Sequence, residues 1–146
     1  MAVSIPPETL KDIADYLDMG MICFYHIRTG ELEYYPDELR VNVGFDEELW
    51  QETIDKVGSD LQAYIRFEGM GSHESFMIIE SFVAEIADAR IRQRFVDAIS
   101  FKKPFQNFKQ LLRNYPVLEQ QWFAFKSQQY IEQLAEQVEN YNSLKG

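Results

Sequence analysis

The sequence predicts an α+β fold, with an N-terminal helix and a β-hairpin with one or two further short strands, followed by a helical C-terminal half. Three observations predict it. Apolar residues recur at helical spacing before residue 18 and again from residue 74 onward. Aromatic and β-branched runs flank Thr29-Gly30 and fill residues 62–67. Proline and glycine then punctuate the boundaries between these stretches. The 146 residues fit one domain, 1–146, and 11 Phe, 8 Tyr and 2 Trp supply bulk for its core. A chain of this length buries roughly 70% of the surface its unfolded form exposes, which argues against disorder.

The first helix is announced by Pro6-Pro7 and carries Leu10, Ile13, Ala14 and Leu17 on one face. Gly20 breaks the pattern. Met21 to Arg28 then reads as a strand that turns at Thr29-Gly30 into Glu31 to Tyr35. A two-residue loop sets Arg28 opposite Glu31, Ile27 opposite Leu32, His26 opposite Glu33 and Tyr25 opposite Tyr34, alternating charge complements with apolar pairs. The competing choice, a type I turn with Gly30 in a bulge, shifts the pairing by one and moves Glu31 and Glu33 to the face of Tyr25 and Ile27.

A short third strand is expected around Val41-Asn-Val43, followed by a helix from about Glu47 to Lys56 carrying Leu49, Trp50 and Ile54 and ended by Gly58. Gln62 to Phe67 has strand composition. Gly69-Met-Gly71 stops it before Ser72, which is placed to cap a helix from Glu74 to Ala87 with the stripe Phe76, Ile79, Phe82, Val83 and Ile86. From Asp88 onward everything reads as helix. Ile91, Phe95, Ala98 and Ile99 face inward on the first, and Phe105, Phe108, Leu111 and Leu112 on a second opened by Pro104. A third, long helix opens at Pro116. Its positions Ala124, Ser127, Ile131, Leu134, Val138 and Tyr141 follow three-four spacing, which suits internal packing or a seam with another chain. Trp122, Phe123 and Phe125 are expected to cover the core. No internal repeat is visible.

Charge and cysteine content narrow the function. With 14 Lys and Arg against 24 Asp and Glu, the net charge of −10 repels phosphate backbones and anionic membranes, so any such contact must be local. One cysteine, Cys23, cannot form an internal disulfide, and it reads as a small buried apolar residue. The N-terminal residues lack the basic and apolar regions of a signal peptide, and Phe76 to Ile79 is far shorter than a membrane span. A cytoplasmic protein is expected.

The run Phe95-Val-Asp-Ala-Ile-Ser-Phe-Lys-Lys-Pro-Phe-Gln-Asn-Phe-Lys109, with Trp122-Phe-Ala-Phe125 after it, resembles a family of small bacterial proteins classed as an uncharacterised protein family. Its signature is an Ala-Ile or Ala-Leu helix end, a basic loop, Phe-x-x-Phe-Lys and a later Trp-aromatic-x-Phe. Ser72-His-Glu74 leading into an apolar helix and Thr29-Gly30-Glu31 are similar too. Phe101 departs from the pattern, where many members carry Gly. The resemblance implies kinship across most of the chain and carries no activity over to particular residues.

Two places could carry chemistry. Between Arg90 and Arg113 stand seven basic residues (Arg90, Arg92, Arg94, Lys102, Lys103, Lys109, Arg113) and one acid, Asp97, a local charge of +6. Arg90 and Arg94 are four apart on one helix and repel each other, a cost that a binding surface would explain. Phe95, Phe101, Phe105 and Phe108 interleave the cations as stacking on single-stranded nucleic acid requires, yet all but Phe101 sit on apolar stripes. The bland alternative pairs the cations internally, Asp88 with Arg92 and Arg94 with Asp97. The second place is the turn Gly69, Gly71, Ser72 and His73, where free backbone N–H groups could hold an anion or His73 could act as a base. It lacks a full glycine fingerprint and a P-loop lysine. His26, His73 and Cys23 show no metal-ligand spacing, and no cofactor is implied. The expectation is a non-catalytic module that binds a protein or another copy of itself through Arg90, Arg94, Phe101, Lys102, Lys103 and Lys109. Nucleic-acid binding through 90–113 is the runner-up and an enzyme centred on His73 the third reading.

Overall fold

The computed structural model describes residues 2–37 and 47–145, which divide by contact into two compact units: residues 1–69 with 130–146, and residues 70–129. Helix, hairpin and strand fall in the first unit and the helical hairpins in the second, as an α+β reading requires.

In the first unit, α1 (Pro7–Asp18) buries Leu10, Ile13, Ala14 and Leu17, the four residues whose spacing announced it. Strands β1 (Met21–His26) and β2 (Leu32–Pro36) form the hairpin. Its register differs from the complementary pairing expected from the side chains. Tyr25 lies opposite Leu32, Phe24 opposite Glu33 and Cys23 opposite Tyr34, a displacement of two residues. The turn decides this. The His26 N–H donates to the Glu31 carbonyl and the His26 carbonyl accepts from the Gly30 N–H, both at 2.9 Å, so His26 faces two residues and Gly30 takes a φ of 75°. Gly30 thus sits in a bulge, but the glutamates do not cross to the face of Tyr25, because an even displacement preserves which face each side chain occupies.

The expected His26–Glu33 pair is therefore not made. The His26 Nδ1 accepts from the N–H groups of Arg28 and Thr29, and Glu33 instead accepts from Lys56 Nζ at 2.7 Å. That lysine extends from α2 (Glu47–Gly58), where Val57 is the buried residue and Leu49, expected inside, is exposed. The expected strand at Val41–Val43 lies outside the described residues. A short 3-10 turn (Leu61–Ala63) occupies the start of the strand expected over Gln62 to Phe67, leaving β3 (Tyr64–Phe67) to pair antiparallel with β1 in the order β2-β1-β3.

Tyr34, Tyr35 and Trp50 engage other rings within this unit. Tyr34 stacks on Tyr16 at 4.0 Å and lies 6.3 Å from Trp50, while Tyr35 stacks on Phe24 at 5.4 Å.

The second unit begins with α3 (Ser72–Ala84), which ends three residues before the sequence suggested, although Ile86 beyond it is still buried. It continues through α4 (Ala89–Ile99), α5 (Pro104–Leu112) and the first part of α6 (Pro116–Lys145), whose last residues belong to the first unit. The core is aromatic. Phe108 packs edge-on against Phe95 at 5.7 Å and Trp122 at 4.9 Å, and Phe82 meets Trp122 at 5.3 Å. Such edge-to-face pairs contribute beyond the area they bury. Phe125 joins this cluster, but Phe123 points to solvent, contrary to the expectation that all three aromatics of 122–125 cover the core. Later in α6, Leu134 and Val138 are buried, so part of its three-four stripe packs internally. No described helix is long and apolar enough to cross a membrane.

Candidate functional site

The basic segment occupies α4, the following loop and α5. Its local acids are committed to tasks other than neutralising it. Asp88 caps α4, its Oδ1 accepting from the N–H groups of Arg90 and Ile91 at 2.9 and 3.1 Å. Asp97 accepts from the Gln93 amide at 2.9 Å. Neither makes the expected ion pair. Arg92 instead donates to the Ile86 carbonyl at 2.7 Å, just beyond the C-terminus of α3, where unpaired carbonyls favour a cation. Arg94 donates to the Tyr115 hydroxyl at 2.6 Å. Among the described residues, no carboxylate lies within 4.0 Å of any of the seven cations. Arg90, Arg94, Lys102, Lys103, Lys109 and Arg113 are all exposed.

The loop between α4 and α5 is held in one shape from beneath. The Asn107 amide donates to the carbonyls of Ala98 and Lys102 at 3.0 and 2.9 Å, and Ser100 Oγ donates to the Val96 carbonyl at 2.6 Å. Lys103 completes the turn in the left-handed region at φ 60°, and Pro104 starts the next helix. This loop carries Phe101 into solvent, 70% exposed, beside Lys102 and Lys103. The other interleaved aromatics belong to the interior, with Phe95 and Phe108 fully buried and Phe105 packed against the same cluster.

Among the described residues, two clefts of this unit flank Arg94 and Tyr115. One of about 540 Å³ runs along α4 and α5 and is lined by Arg94, Asp97, Phe101, Gln110, Leu111 and Asn114. The other, of about 710 Å³, is lined chiefly by apolar groups, including Phe82, Ile91, Tyr115, Leu118 and Phe125. Arg94 belongs to the first and Tyr115 to the second, so their hydrogen bond lies where the two approach each other.

At the glycine turn, Gly71 rather than Ser72 is the N-cap of α3, and no side chain caps the helix. Ser72 is the first helical residue and does not act as the cap expected of it. His73 is exposed, lines neither cleft and has no hydrogen-bond partner among the described residues. Gly69, Gly71, Ser72 and His73 therefore present no assembled acid–base pair. Cys23 is fully buried, and burial pushes its thiol up to about 12, far from nucleophilic use. Among the described residues no group of three or more His, Cys, Asp or Glu could hold a metal ion.

What the sequence missed was the use of Arg92 and Arg94. For Arg92 a signal existed, since a cation six residues after Ile86 can reach carbonyls at the end of a preceding helix. For Arg94 there was none, because Tyr115 lies 21 residues away.

A family model described as Uncharacterised protein family (UPF0158) matches residues 21–144. The chain belongs to this family. The UPF0158 match includes the hairpin, the glycine turn and the entire basic segment, so the likeness seen around Phe95 to Lys109 is one part of a much longer correspondence. No curated protein and no solved structure matches the chain.

Proposed function

We propose that this UPF0158 protein is a non-catalytic binding module that docks an acidic protein surface through the cations of residues 90–113. One observation carries the reading: six exposed cations are gathered on one segment without an ionic partner, in a chain with 24 acidic residues. Internal neutralisation was available in sequence, through Asp88 and Asp97, and both carboxylates are used for local hydrogen bonds instead. A concentrated positive patch on a negative molecule orients an acidic partner toward that patch and turns other faces away.

A protein suits this surface better than a nucleic acid. Stacking successive bases needs several exposed rings, and the segment offers Phe101 alone. The net charge of −10 also opposes a long phosphate backbone. We take the module to act in the cytoplasm, where its single thiol would stay reduced.

The reading is tested by capturing partners from a nuclease-treated lysate with the full chain and with a variant carrying Arg90→Ala, Arg94→Ala, Lys102→Ala and Lys103→Ala. The expected result is a specific protein held by the parent and lost by the variant. Equal recovery on both would overturn this surface, and nucleic acid recovered without nuclease, together with loss of every protein after it, would favour the runner-up.

A further inference from the structure

The basic face has a shape as well as a charge. Arg90, Arg94, Asp97 and Phe101 follow one another at intervals of four, three and four residues, so they line a single edge of α4 and its following loop. Facing Arg94, Asp97 and Phe101 across the cleft of about 540 Å³ are Gln110, Leu111 and Asn114 of α5 and its end, with Arg90 one turn beyond the cleft. The side-chain amides of Gln110 and Asn114 make no hydrogen bond among the described residues. Ala98 and Leu111 supply an apolar floor next to the exposed Phe101 ring.

We propose that this cleft receives an acidic segment of a partner protein that carries one large apolar side chain, which packs on Phe101 while flanking carboxylates meet Arg90, Arg94 and the lysines of the loop. The inference rests on the acidic-partner reading above and adds the character of the segment. Three features select that occupant. Phe101 is held out by a loop whose carbonyls are fixed by Asn107, so its apolar surface is presented in advance and covering it costs little reordering. Arg94 spends one donor on Tyr115 and is thereby oriented, with the rest of its guanidinium fork open to a carboxylate. Asp97, the sole acid lining the cleft, stands between Arg94 and Phe101. A uniformly acidic segment meets repulsion there, whereas a segment whose charge is interrupted by an apolar anchor does not. The free amides of Gln110 and Asn114 can serve the segment's backbone.

The test uses the full chain and two labelled probes, a short oligoglutamate and the same peptide with its central residue changed to leucine, with fluorescence anisotropy as readout. The leucine peptide is expected to bind about fivefold more tightly. Phe101→Ala should remove that difference by weakening the leucine peptide about fivefold. Arg90→Ala with Arg94→Ala should weaken both peptides alike, and Asp97→Asn should strengthen the oligoglutamate more than the leucine peptide. All of these positions are exposed, and unchanged circular dichroism verifies that each variant folds. Equal affinity for the two peptides, or indifference to Phe101→Ala, overturns the anchored-segment inference while leaving the acidic-partner reading intact. If neither peptide binds and an oligothymidylate does, both fall.

Discussion

The guanidinium of Arg94 donates to the hydroxyl of Tyr115 across 2.6 Å, joining α4 to the residue just before α6. The Tyr115 ring in turn leans on Phe95, 5.7 Å away in the core. A cation on the basic face is thus tied through one tyrosine to the packed interior. A double-mutant cycle of Arg94→Ala and Tyr115→Phe in urea unfolding should give a coupling below about 1 kcal/mol, because the bond is exposed and screened. Tyr115→Phe should nonetheless weaken the leucine peptide, since it releases the orientation of Arg94 without removing its charge.

The aromatic cluster should be far less forgiving. Phe108 is 1% exposed and touches three other rings, so Phe108→Ala removes contacts that the surroundings cannot close over. A loss of about 3–5 kcal/mol is expected. Denaturant unfolding followed by Trp122 fluorescence reads it directly, with Trp50→Phe as the background to remove the other indole.

Cys23 predicts an alkaline weakness. Its thiol ordinarily titrates near 9.0, and desolvation in the fold pushes it up to about 12. Below the lower value both states are protonated and the thiol adds no pH dependence. Above it the unfolded chain ionises first, so stability falls with rising pH until the folded thiol also ionises. Urea midpoints measured from pH 8 to about pH 10.5 should therefore drop more steeply for the parent than for Cys23→Ala, by about 2 kcal/mol at the upper end. Native Cys23 should also resist thiol reagents until the protein unfolds.

Two glycines should respond in opposite directions. Gly30 has a φ of 75°, which disfavours any side chain even though the space beside it is open enough for a methyl. Gly30→Ala should cost about 1 kcal/mol. Gly58 ends α2 with nothing within 4 Å of an added Cβ and no positive φ, so Gly58→Ala should gain up to about 0.5 kcal/mol. Thermal unfolding of the two variants checks both signs.

Helical faces were readable because burial imposes its period on the sequence. Leu10, Ile13, Ala14 and Leu17 are all inside, as their spacing required, and so are Ile79, Phe82 and Val83. The hairpin register was not readable, for a physical reason: displacement by two residues buries the same side chains, so hydrophobic pattern cannot distinguish the alternatives and only the backbone bonds around His26 and Gly30 do. The candidate surface was half legible. Seven cations in 24 residues are visible in composition, and the exposure of Phe101 followed from its absence from every apolar stripe. The fates of Asp88 and Asp97 were not, since a carboxylate four residues from an arginine reads as an ion pair until a helix cap or an amide claims it.

The first unit is discontinuous, formed from residues 1–69 and 130–146, and reciprocal hydrogen bonds of 2.8 and 2.9 Å join the Asn142 side chain to the backbone of Val3. During synthesis, then, residues 1–69 must wait for residues 130–146. The second unit, continuous from 70 to 129, has all its residues before Tyr130, Leu134 and Val138 emerge to fill the first. Order along the chain and order of completion are inverted: the helical unit that bears the basic face can close while the hairpin unit is still missing part of its core.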